Sequence, residues 1–295
     1  MTIVVASGKG GTGKTTVAVG LARALDARVS LLDCDVEAPN TGLFLREAGT
    51  PVQTRRFTVP VPRVDAQRCT GCGACAAFCA FGALAVVRER VLFFEDLCHA
   101  CGGCALVCPT DAIDEVPHAI GTIAMTETPE LFHVTGELDV GQTLAPPLIR
   151  AVKQTAPSTA RIGAADGTET VTIIDAAPGT TCPVVEAARG ADAGLLVTEN
   201  TPFGLHDLAL AAEVFADLRI PAAIVVNRSG VGYGDETALH EISDRFGFPI
   251  LMRIPFSLAV ARGYADGASI LDSMPDLRGD FARLYNDLVR LEAAS

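Results

Sequence analysis

The sequence predicts an α/β fold built on a doubly wound parallel sheet. Apolar runs alternate with helical patterns, which is typical of that fold. The runs are almost continuous in Val, Ile and Leu, as in strands covered on both faces. The six predicted strands are residues 2–7, 29–35, 171–176, 194–199, 222–227 and 249–255. The predicted helices are residues 14–25, 182–190, 204–218, 236–246 and about 276–292.

The alternation of strands and helices stops between about residues 58 and 118. Prolines open and close this segment, and eight of the ten cysteines lie inside it. The sequence therefore predicts a small inserted domain, residues 59–118, within a larger domain formed by residues 1–58 and 119–295.

Composition excludes several classes of partner. The 295 residues carry a formal net charge of −12, which argues against nucleic acid or an anionic membrane surface as the main partner. No stretch approaches the roughly 20 apolar residues of a membrane span, and no leader precedes the first predicted strand. Ten cysteines in such a chain favour metal binding in a reducing compartment over disulfides. We therefore expect a cytoplasmic protein.

A phosphate-binding loop follows the first predicted strand. Residues 8–15, GKGGTGKT, match the pattern G-x-x-x-x-G-K-[ST] and precede a predicted helix. The glycines let backbone N–H groups surround phosphates, and the helix amino terminus adds partial positive charge. We expect Lys14 to contact the terminal phosphates and Thr15 to bind magnesium. The loop residues of the predicted nucleotide site are Gly8, Gly10, Gly11, Thr12, Gly13, Lys14, Thr15 and Thr16.

A second lysine, Lys9, lies inside the glycine turn. The stretch KGGTGKT resembles the deviant phosphate-loop ATPases, which include the MinD and ParA proteins, the Mrp-type iron–sulfur carriers and the nitrogenase iron protein. The resemblance implies a P-loop ATPase in which Lys9 reaches across a dimer interface to the partner's phosphates, as an arginine finger does. It also implies a nucleotide-dependent homodimer, or a heterodimer with a paralogue.

Acidic residues at two predicted strand ends resemble further motifs of that family. By this resemblance, Asp35 in LLDCDVEAPN positions or activates the attacking water, and Asp33 lies near the magnesium shell. Asp175 in TIIDAAPG resembles the aspartate that holds magnesium through water. The catalytic residues that the resemblance implies are therefore Lys9, Lys14 and Asp35.

A third set of residues resembles the family's adenine-binding region. Asn227 and Arg228 follow a predicted strand like the turn that contacts the base, and Pro255 in IPFS would line it. Each residue alone could simply cap a strand end. Their order along the chain favours a nucleotide site with ATP or ADP and magnesium as its ligands.

The insert contains the spacing C-x2-C-x2-C-x3-C twice, and each cysteine of the first copy recurs 29 residues later. This is the pattern of two-cluster bacterial ferredoxins, in which the fourth cysteine of each copy ligates the other cluster. It predicts a small α+β ferredoxin domain of bacterial type. Zinc is the alternative for four-cysteine sites, although this duplicated spacing is not typical of zinc. The predicted [4Fe–4S] ligand sets are Cys69, Cys72, Cys75 and Cys108 for one cluster, and Cys98, Cys101, Cys104 and Cys79 for the other.

The two parts together resemble MinD-superfamily ATPases with an inserted ferredoxin domain, over essentially the whole chain. We expect an ATP-hydrolysing dimer whose nucleotide state is coupled to electron transfer, in the maturation or reduction of a metal-cofactor protein. One alternative is a cluster carrier or scaffold whose ATPase gates transfer. Another is a MinD- or ParA-like positioning ATPase with structural clusters, which the acidic chain and the non-basic final residues disfavour. The partner would be a redox or metal-cofactor acceptor protein, with no nucleic acid and no membrane.

Two cysteines lie outside the insert. Cys34, between two aspartates of a predicted strand, is interpreted as a packed thiol. Cys182 follows Asp175 by seven residues, and the nitrogenase iron protein has a cluster ligand at about this distance. A structural thiol and a metal-binding or redox thiol are both open for Cys182. The histidines, among them His99 and His206, lack the spacing of metal ligands.

Protein purified without oxygen should contain about eight iron and eight sulfide per chain, because both predicted clusters are cubanes. Stoichiometric zinc with little labile sulfide would contradict this.

The variant Cys108→Ser should damage the cluster of the first motif, since the fourth ligands are exchanged between motifs. EPR spectra of the reduced variant will identify the surviving cluster, and selective damage to the second-motif cluster would contradict the crossed assignment.

Overall fold

A computed structural model describes residues 1–45, 52–156, 170–231 and 234–294 of the chain. The strands are β1 (Thr2–Ala6), β2 (Val29–Cys34), β3 (Val52–Val64), β4 (Leu84–Val87), β5 (Arg90–Phe93), β6 (Ile113–Glu127), β7 (Leu131–Leu138), β8 (Val171–Ala176), β9 (Ala193–Glu199), β10 (Ala222–Ser229) and β11 (Ile250–Pro255). The helices are α1 (Lys14–Ala24), α2 (Ala74–Phe78), α3 (Gly103–Leu106), α4 (Ala145–Thr155), α5 (Cys182–Ala188), α6 (Pro202–Asp217), α7 (Glu236–Phe246), α8 (Leu258–Ala265), α9 (Ile270–Ser273) and α10 (Arg278–Ala293). Short 3-10 helices span Thr41–Phe44, Glu95–Leu97 and Pro275–Leu277.

A nine-stranded sheet has the order β11-β10-β9-β1-β8-β2-β7-β6-β3. The seven strands from β11 to β7 pair in parallel. The large, mostly parallel α/β sheet confirms that part of the predicted fold class, whereas the inserted ferredoxin fold stays a prediction. Each predicted strand and helix is present, with its ends displaced by at most two residues.

Ten elements were not predicted individually from the sequence: β3, β4, β5, β6, β7, α2, α3, α4, α8 and α9. Only residues 128–130 join β6 to β7, too few for a parallel crossover, so the two strands form an antiparallel hairpin. The Thr128 amide donates to the Leu131 carbonyl at 2.8 Å and closes that turn. The sheet is therefore mixed at this end. The polar residues scattered along β6 and β7 explain why the apolar pattern of the central strands did not reveal them.

The chain divides into two compact units. The first comprises Met1–Thr54, Ile123–Glu137 and Leu148–Ser295. The second comprises Arg55–Thr122 and Leu138–Pro147. The domain boundaries that the sequence predicts, at residues 58/59 and 118/119, stay a prediction.

One large core cluster of the first unit lies between the sheet and the helices α1 and α10. Leu21 of α1, Phe281 of α10 and Ile173 of β8 are all inaccessible to solvent in this core. Gly20 brings α1 close to its neighbour, because a Cβ there would lie 2.6 Å from Phe281 Cζ. This packing holds the carboxyl ends of the parallel strands at one edge, where ligands bind in open α/β sheets.

The 29-residue cysteine repeat is also visible in the backbone of the second unit. Helices α2 and α3 begin 29 residues apart, as do strands β4 and β6. Residues with left-handed backbone recur at the same spacing, in the pairs Gly71 and Ala100, Gly73 and Gly102, and Gly82 and Asp111. Leu84 and Ile113, which are equivalent in the repeat, pack together with Cys75. The two motifs therefore have the same local structure.

Among the described helices, none has the length and apolar character that crossing a membrane requires.

Candidate functional site

A cavity of about 430 Å³ opens at the carboxyl ends of the parallel strands in the first unit. Its volume lies within the range of small-molecule sites, roughly 300–1,000 Å³. Six residues of the phosphate-binding loop line it, together with Pro178 and the polar residues Asp35 and Asn40. These motifs therefore meet at one cavity, and the roles predicted for their residues stay predictions. The loop residues in the lining are Gly10, Gly11, Gly13, Lys14, Thr15 and Thr16.

Two glycines of the phosphate-binding loop are required by local structure. Gly13 caps α1 with φ 96°, and a Cβ there would clash with the Asn227 amide. A Cβ on Gly8 would clash with the carbonyl of Asp207 in α6. The loop therefore needs glycine for its own packing as well as for any approach of phosphate.

Lys14 and Asp175 form the buried, charged part of the cavity. Burial lowers the pKa of Lys14, while the nearby carboxylates of Asp175 and Asp35 raise it. Thr15 Oγ1 donates to Asp175 Oδ2 at 2.6 Å. The other oxygen, Asp175 Oδ1, is buried without a hydrogen-bond partner among the described residues. Burial raises the pKa of Asp175, and the nearby charge of Asp33 raises it further. An unpartnered carboxylate oxygen beside a hydroxyl fits a hydrated magnesium ion.

The two aspartates of β2 and the following turn have different surroundings. Asp33 is fully buried, and its carboxylate accepts four hydrogen bonds from residues of its own segment. Asp35 lines the cavity and is half-buried. Burial raises the pKa of Asp35 to about 6, although Lys14 opposes this rise. A carboxylate with a pKa near neutrality suits proton acceptance from an attacking water.

Lys9 lies outside the lining that the described residues give to this cavity. Its carbonyl accepts a hydrogen bond from Ser7 Oγ at 2.6 Å. Within the described ranges, its ammonium forms no ion pair. The fold therefore brings Lys14, but not Lys9, to the cavity of the same chain.

Asn227 joins β10 to the phosphate-binding loop. Its Nδ2 donates to the Thr12 carbonyl at 2.7 Å, and its Oδ1 accepts from the Arg228 amide at 2.9 Å. Arg228 has a left-handed backbone, φ 52°, and pairs with Glu199. Both ends of the Asn227 amide are therefore used within the protein, so its contact with adenine stays a prediction.

An apolar wall faces the phosphate-binding loop across the cavity. Pro255 contributes to it, together with Phe256 and Tyr264 from the chain that follows β11. The flat rings and the proline suit a planar ligand group, and the predicted role of Pro255 in lining a base stays a prediction.

The second unit has its own cavity, and four cysteines lie in its lining. They are Cys79 of the first motif and Cys98, Cys101 and Cys104 of the second. Aromatic side chains complete the wall, and the rings of Phe81 and His99 stack with their centroids 3.5 Å apart. His99 is therefore part of local packing.

The other predicted cysteine set also draws on both motifs. Burial raises the pKa of the Cys75 thiol, and the nearby thiols of Cys69 and Cys108 raise it further. Burial likewise raises the pKa of the Cys98 thiol, and the nearby thiols of Cys101 and Cys79 raise it further. Each motif thus lies beside the last cysteine of the other.

The sulfur atoms of both sets accept hydrogen bonds from the backbone. The Ala112 amide donates to Cys108 Sγ at 3.2 Å, and the Ala100 amide donates to Cys98 Sγ at 3.4 Å. Hydrogen bonds to cluster sulfurs are one of the factors that set the reduction potential of an iron–sulfur centre.

No group of three or more His, Cys, Asp or Glu in residues 1–45, 52–156, 170–231 and 234–294 is arranged to hold one metal ion. A structural zinc site needs four ligands at roughly 2.0–2.3 Å from one point. In a cubane, each thiolate binds a different iron atom, so the sulfurs stand further apart. The assignment of these cysteines to two [4Fe–4S] clusters therefore stays a prediction.

The cysteines outside the second unit differ in exposure. Cys34 is fully buried, and burial raises the pKa of its thiol, which confirms the interpretation as a packed thiol. Cys182 is exposed at the first residue of α5, and its role stays open. His206 is exposed on α6.

Sequence reasoning missed two polar residues of the first unit. Asn40 lines the cavity, and its buried Oδ1 has no hydrogen-bond partner in the described parts of the chain. His133 of β7 is buried beside Thr41. Asn40 is the last residue of the motif LLDCDVEAPN, so its position could have marked it as a site residue. Nothing in the sequence around His133 indicated a role for that residue.

The chain matches a family model over residues 3–270, described as the CobQ/CobB/MinD/ParA nucleotide binding domain. The chain belongs to this family. An uncharacterized protein of Methanocaldococcus jannaschii is 29% identical over 291 residues, 98% of either chain. The septum site-determining protein MinD of Pyrococcus horikoshii, complexed with Mg-ADP, has a similar fold, with a TM-score of 0.56 and 19% identity over 96% of this chain and 94% of that one. An iron–sulfur cluster carrier protein of a Synechocystis species is 48% identical over 56 residues, 18% of this chain and 16% of that protein.

Asn227→Asp should weaken binding of ATP and GTP to the same extent, by about tenfold. The reason is that a carboxylate cannot donate to the Thr12 carbonyl, which would be left unpaired beside the loop. Titration with fluorescent nucleotides measures both affinities. The control Asn286→Asp, the same change on the exposed face of α10, should leave them unaltered. A change in the ratio of ATP to GTP affinity would instead indicate that Asn227 contacts the base.

Proposed function

We propose that this protein is a dimeric ATPase with two [4Fe–4S] clusters, and that its nucleotide state controls electron transfer through them. The main support is the cysteine cavity of the second unit. Its lining combines Cys79 with the first three cysteines of the other motif, as a two-cluster ferredoxin requires. The acceptor would be a redox protein or a metal-cofactor protein.

Family membership and the charged cavity support ATP hydrolysis. Lys14 would contact the phosphates, and Thr15 and Asp175 would hold magnesium, which neutralises charge on the transferred phosphoryl group when bound. Asp35 would orient the attacking water and take up its proton. The most direct support for the magnesium site is that Asp175 Oδ1 is buried without a hydrogen-bond partner among the described residues.

Exposure of the cysteines supports exchange of electrons with a partner. The clusters would supply one-electron chemistry. Cys72 and Cys101, which are equivalent in the repeat, are the two exposed members of their sets. Cys75 is buried among apolar side chains. An edge of each predicted cluster would therefore face solvent, where a partner could approach it.

The position of Lys9 supports the dimer. Lys9 carries a positive charge next to the cavity of its own chain without lining it. A second subunit could bring this charge to the phosphates, where positive charge stabilises the transition state of phosphoryl transfer. Subunit closure would then switch hydrolysis on.

A second candidate function is that of a cluster carrier. It is favoured by the local likeness to an iron–sulfur cluster carrier protein. In that case an apo-acceptor incubated with the loaded protein would gain iron and sulfide, and the protein would lose them in an ATP-dependent manner. An electron-transfer protein would keep its iron while the acceptor is reduced.

Lys9→Ala and Asp35→Ala proteins should each bind ATP and hydrolyse it poorly, whereas Lys14→Ala should lose affinity. When the first two variants are mixed, ATPase activity should reappear, because one site of a mixed dimer combines intact Asp35 with Lys9 of the other subunit. The other site lacks both groups, so recovery cannot exceed about half of the wild-type rate. Subunit exchange is monitored by fluorescence transfer between labelled chains. Exchange without recovered activity would mean that Lys9 acts within its own subunit.

A further inference from the structure

Asp33 is the most heavily hydrogen-bonded carboxylate in the described part of the first unit. Its Oδ2 accepts from the Asn40 amide at 2.9 Å, the Thr41 amide at 2.9 Å and the Thr41 hydroxyl at 2.7 Å. Its Oδ1 accepts from the Asp35 amide at 3.2 Å. A carboxylate offers about four lone-pair positions. The hydrogen bonds of Asp33 are therefore directed to its own segment, in contrast to the unpartnered Asp175 Oδ1.

A buried histidine extends this group of hydrogen bonds. Thr41 Oγ1 lies 2.8 Å from His133 Nε2, and both residues are buried. Because the single hydroxyl proton of Thr41 is donated to Asp33, the hydroxyl can only accept from His133. This arrangement assigns the proton of His133 to Nε2, which also lies 3.2 Å from Thr135 Oγ1. Burial lowers the pKa of His133 to about 4, so the ring is neutral.

These contacts fix the segment that faces the nucleotide cavity. Asp33 holds the backbone at both ends of residues 35–41, and two residues of this segment, Asp35 and Asn40, line the cavity. We propose that Asp33, Thr41 and His133 form a brace that positions Asp35 for hydrolysis, and that Asp33 acts as a positioning residue and not within the magnesium shell. This inference rests on the proposed ATPase function and adds two residues to it.

The brace also joins two segments of the first unit that are distant in sequence. Thr41 lies on the segment that leads from the Asp35 turn towards β3. His133 lies on β7, and the preceding strand β6 begins five residues after Cys108 and runs without interruption to Glu127. The hydrogen bond between Thr41 and His133 thus adds a side-chain contact between this segment and β7.

The test compares two substitutions of Thr41 in the full-length protein. Thr41→Val keeps the shape of the side chain but removes the hydroxyl, whereas Thr41→Ser retains it. Ser243→Ala is the control. It removes a different buried hydroxyl, that of Ser243 in α7, which donates to the Phe248 carbonyl. Asp33→Asn is tested beside them for its requirement for magnesium.

Thr41→Val should lower kcat by about tenfold, while KM for ATP and the magnesium concentration for half-maximal rate stay within about twofold of wild type. Thr41→Ser and Ser243→Ala should have nearly wild-type kcat. A wild-type kcat in Thr41→Val would overturn the brace. An Asp33→Asn protein that needs at least about tenfold more magnesium, at unaltered kcat, would place Asp33 in the metal shell and overturn the proposal as well.

Hydrogen exchange provides a readout that does not depend on hydrolysis. Amide exchange in residues 35–41 should be faster in Thr41→Val than in wild type, and unaltered in Thr41→Ser and Ser243→Ala. Equal exchange in wild type and Thr41→Val would refute the brace even if ATP is hydrolysed. Absence of hydrolysis by the wild-type protein would contradict the proposed function, while the exchange data would still decide whether the brace exists.

Discussion

The burial of charge at the carboxyl edge of the sheet is the constraint on which the first unit depends. Asp33 and Asp175 are inaccessible to solvent, and Lys14 is nearly so. Removing charges from water costs several kcal/mol for each ion unless partners compensate. Asp33 is compensated by hydrogen bonds from its own turn, and Asp175 by Thr15 and Lys14. Lys14 faces two carboxylates, Asp175 and Asp35, and Arg228 in the lining is paired with Glu199, so protein carboxylates already balance these positive charges. Magnesium and a lysine from a second subunit would supply positive charge for an anionic nucleotide.

The second unit is organised around a different constraint, the duplication of one short motif. Left-handed residues at equivalent places turn the chain so that each motif lies beside the last cysteine of the other. Gly71 and Ala100 occupy equivalent left-handed positions, but only the first requires glycine, because a Cβ on Gly71 would lie 2.7 Å from the Glu89 carbonyl oxygen. The apolar side chains of Leu84 and Ile113 pack against Cys75. The duplication of the motif thus accounts both for the predicted ligand sets and for the local fold of this unit.

The sequence was most informative where a single physical requirement dominates. The central strands are buried on both faces, so their apolar runs predicted them within two residues, and the glycine and cysteine spacings predicted which motifs meet. The hairpin of β6 and β7 was missed because its residues are of mixed polarity. The hydrogen bonds of Asn227 join residues distant in sequence, and those of Asp33 depend on the geometry of a turn, so the sequence did not predict either set. His133 was missed for the same reason, since its partner lies 92 residues away.

The central claim is that nucleotide state and cluster chemistry are coupled in one molecule. The most direct measurement is the midpoint potential of each cluster without nucleotide, with Mg-ADP, and with Mg bound to a non-hydrolysable ATP analogue. The account predicts that the analogue shifts at least one potential, and a tenfold coupling corresponds to about 59 mV for a one-electron couple. Identical potentials and identical rates of electron exchange in all three states would contradict it.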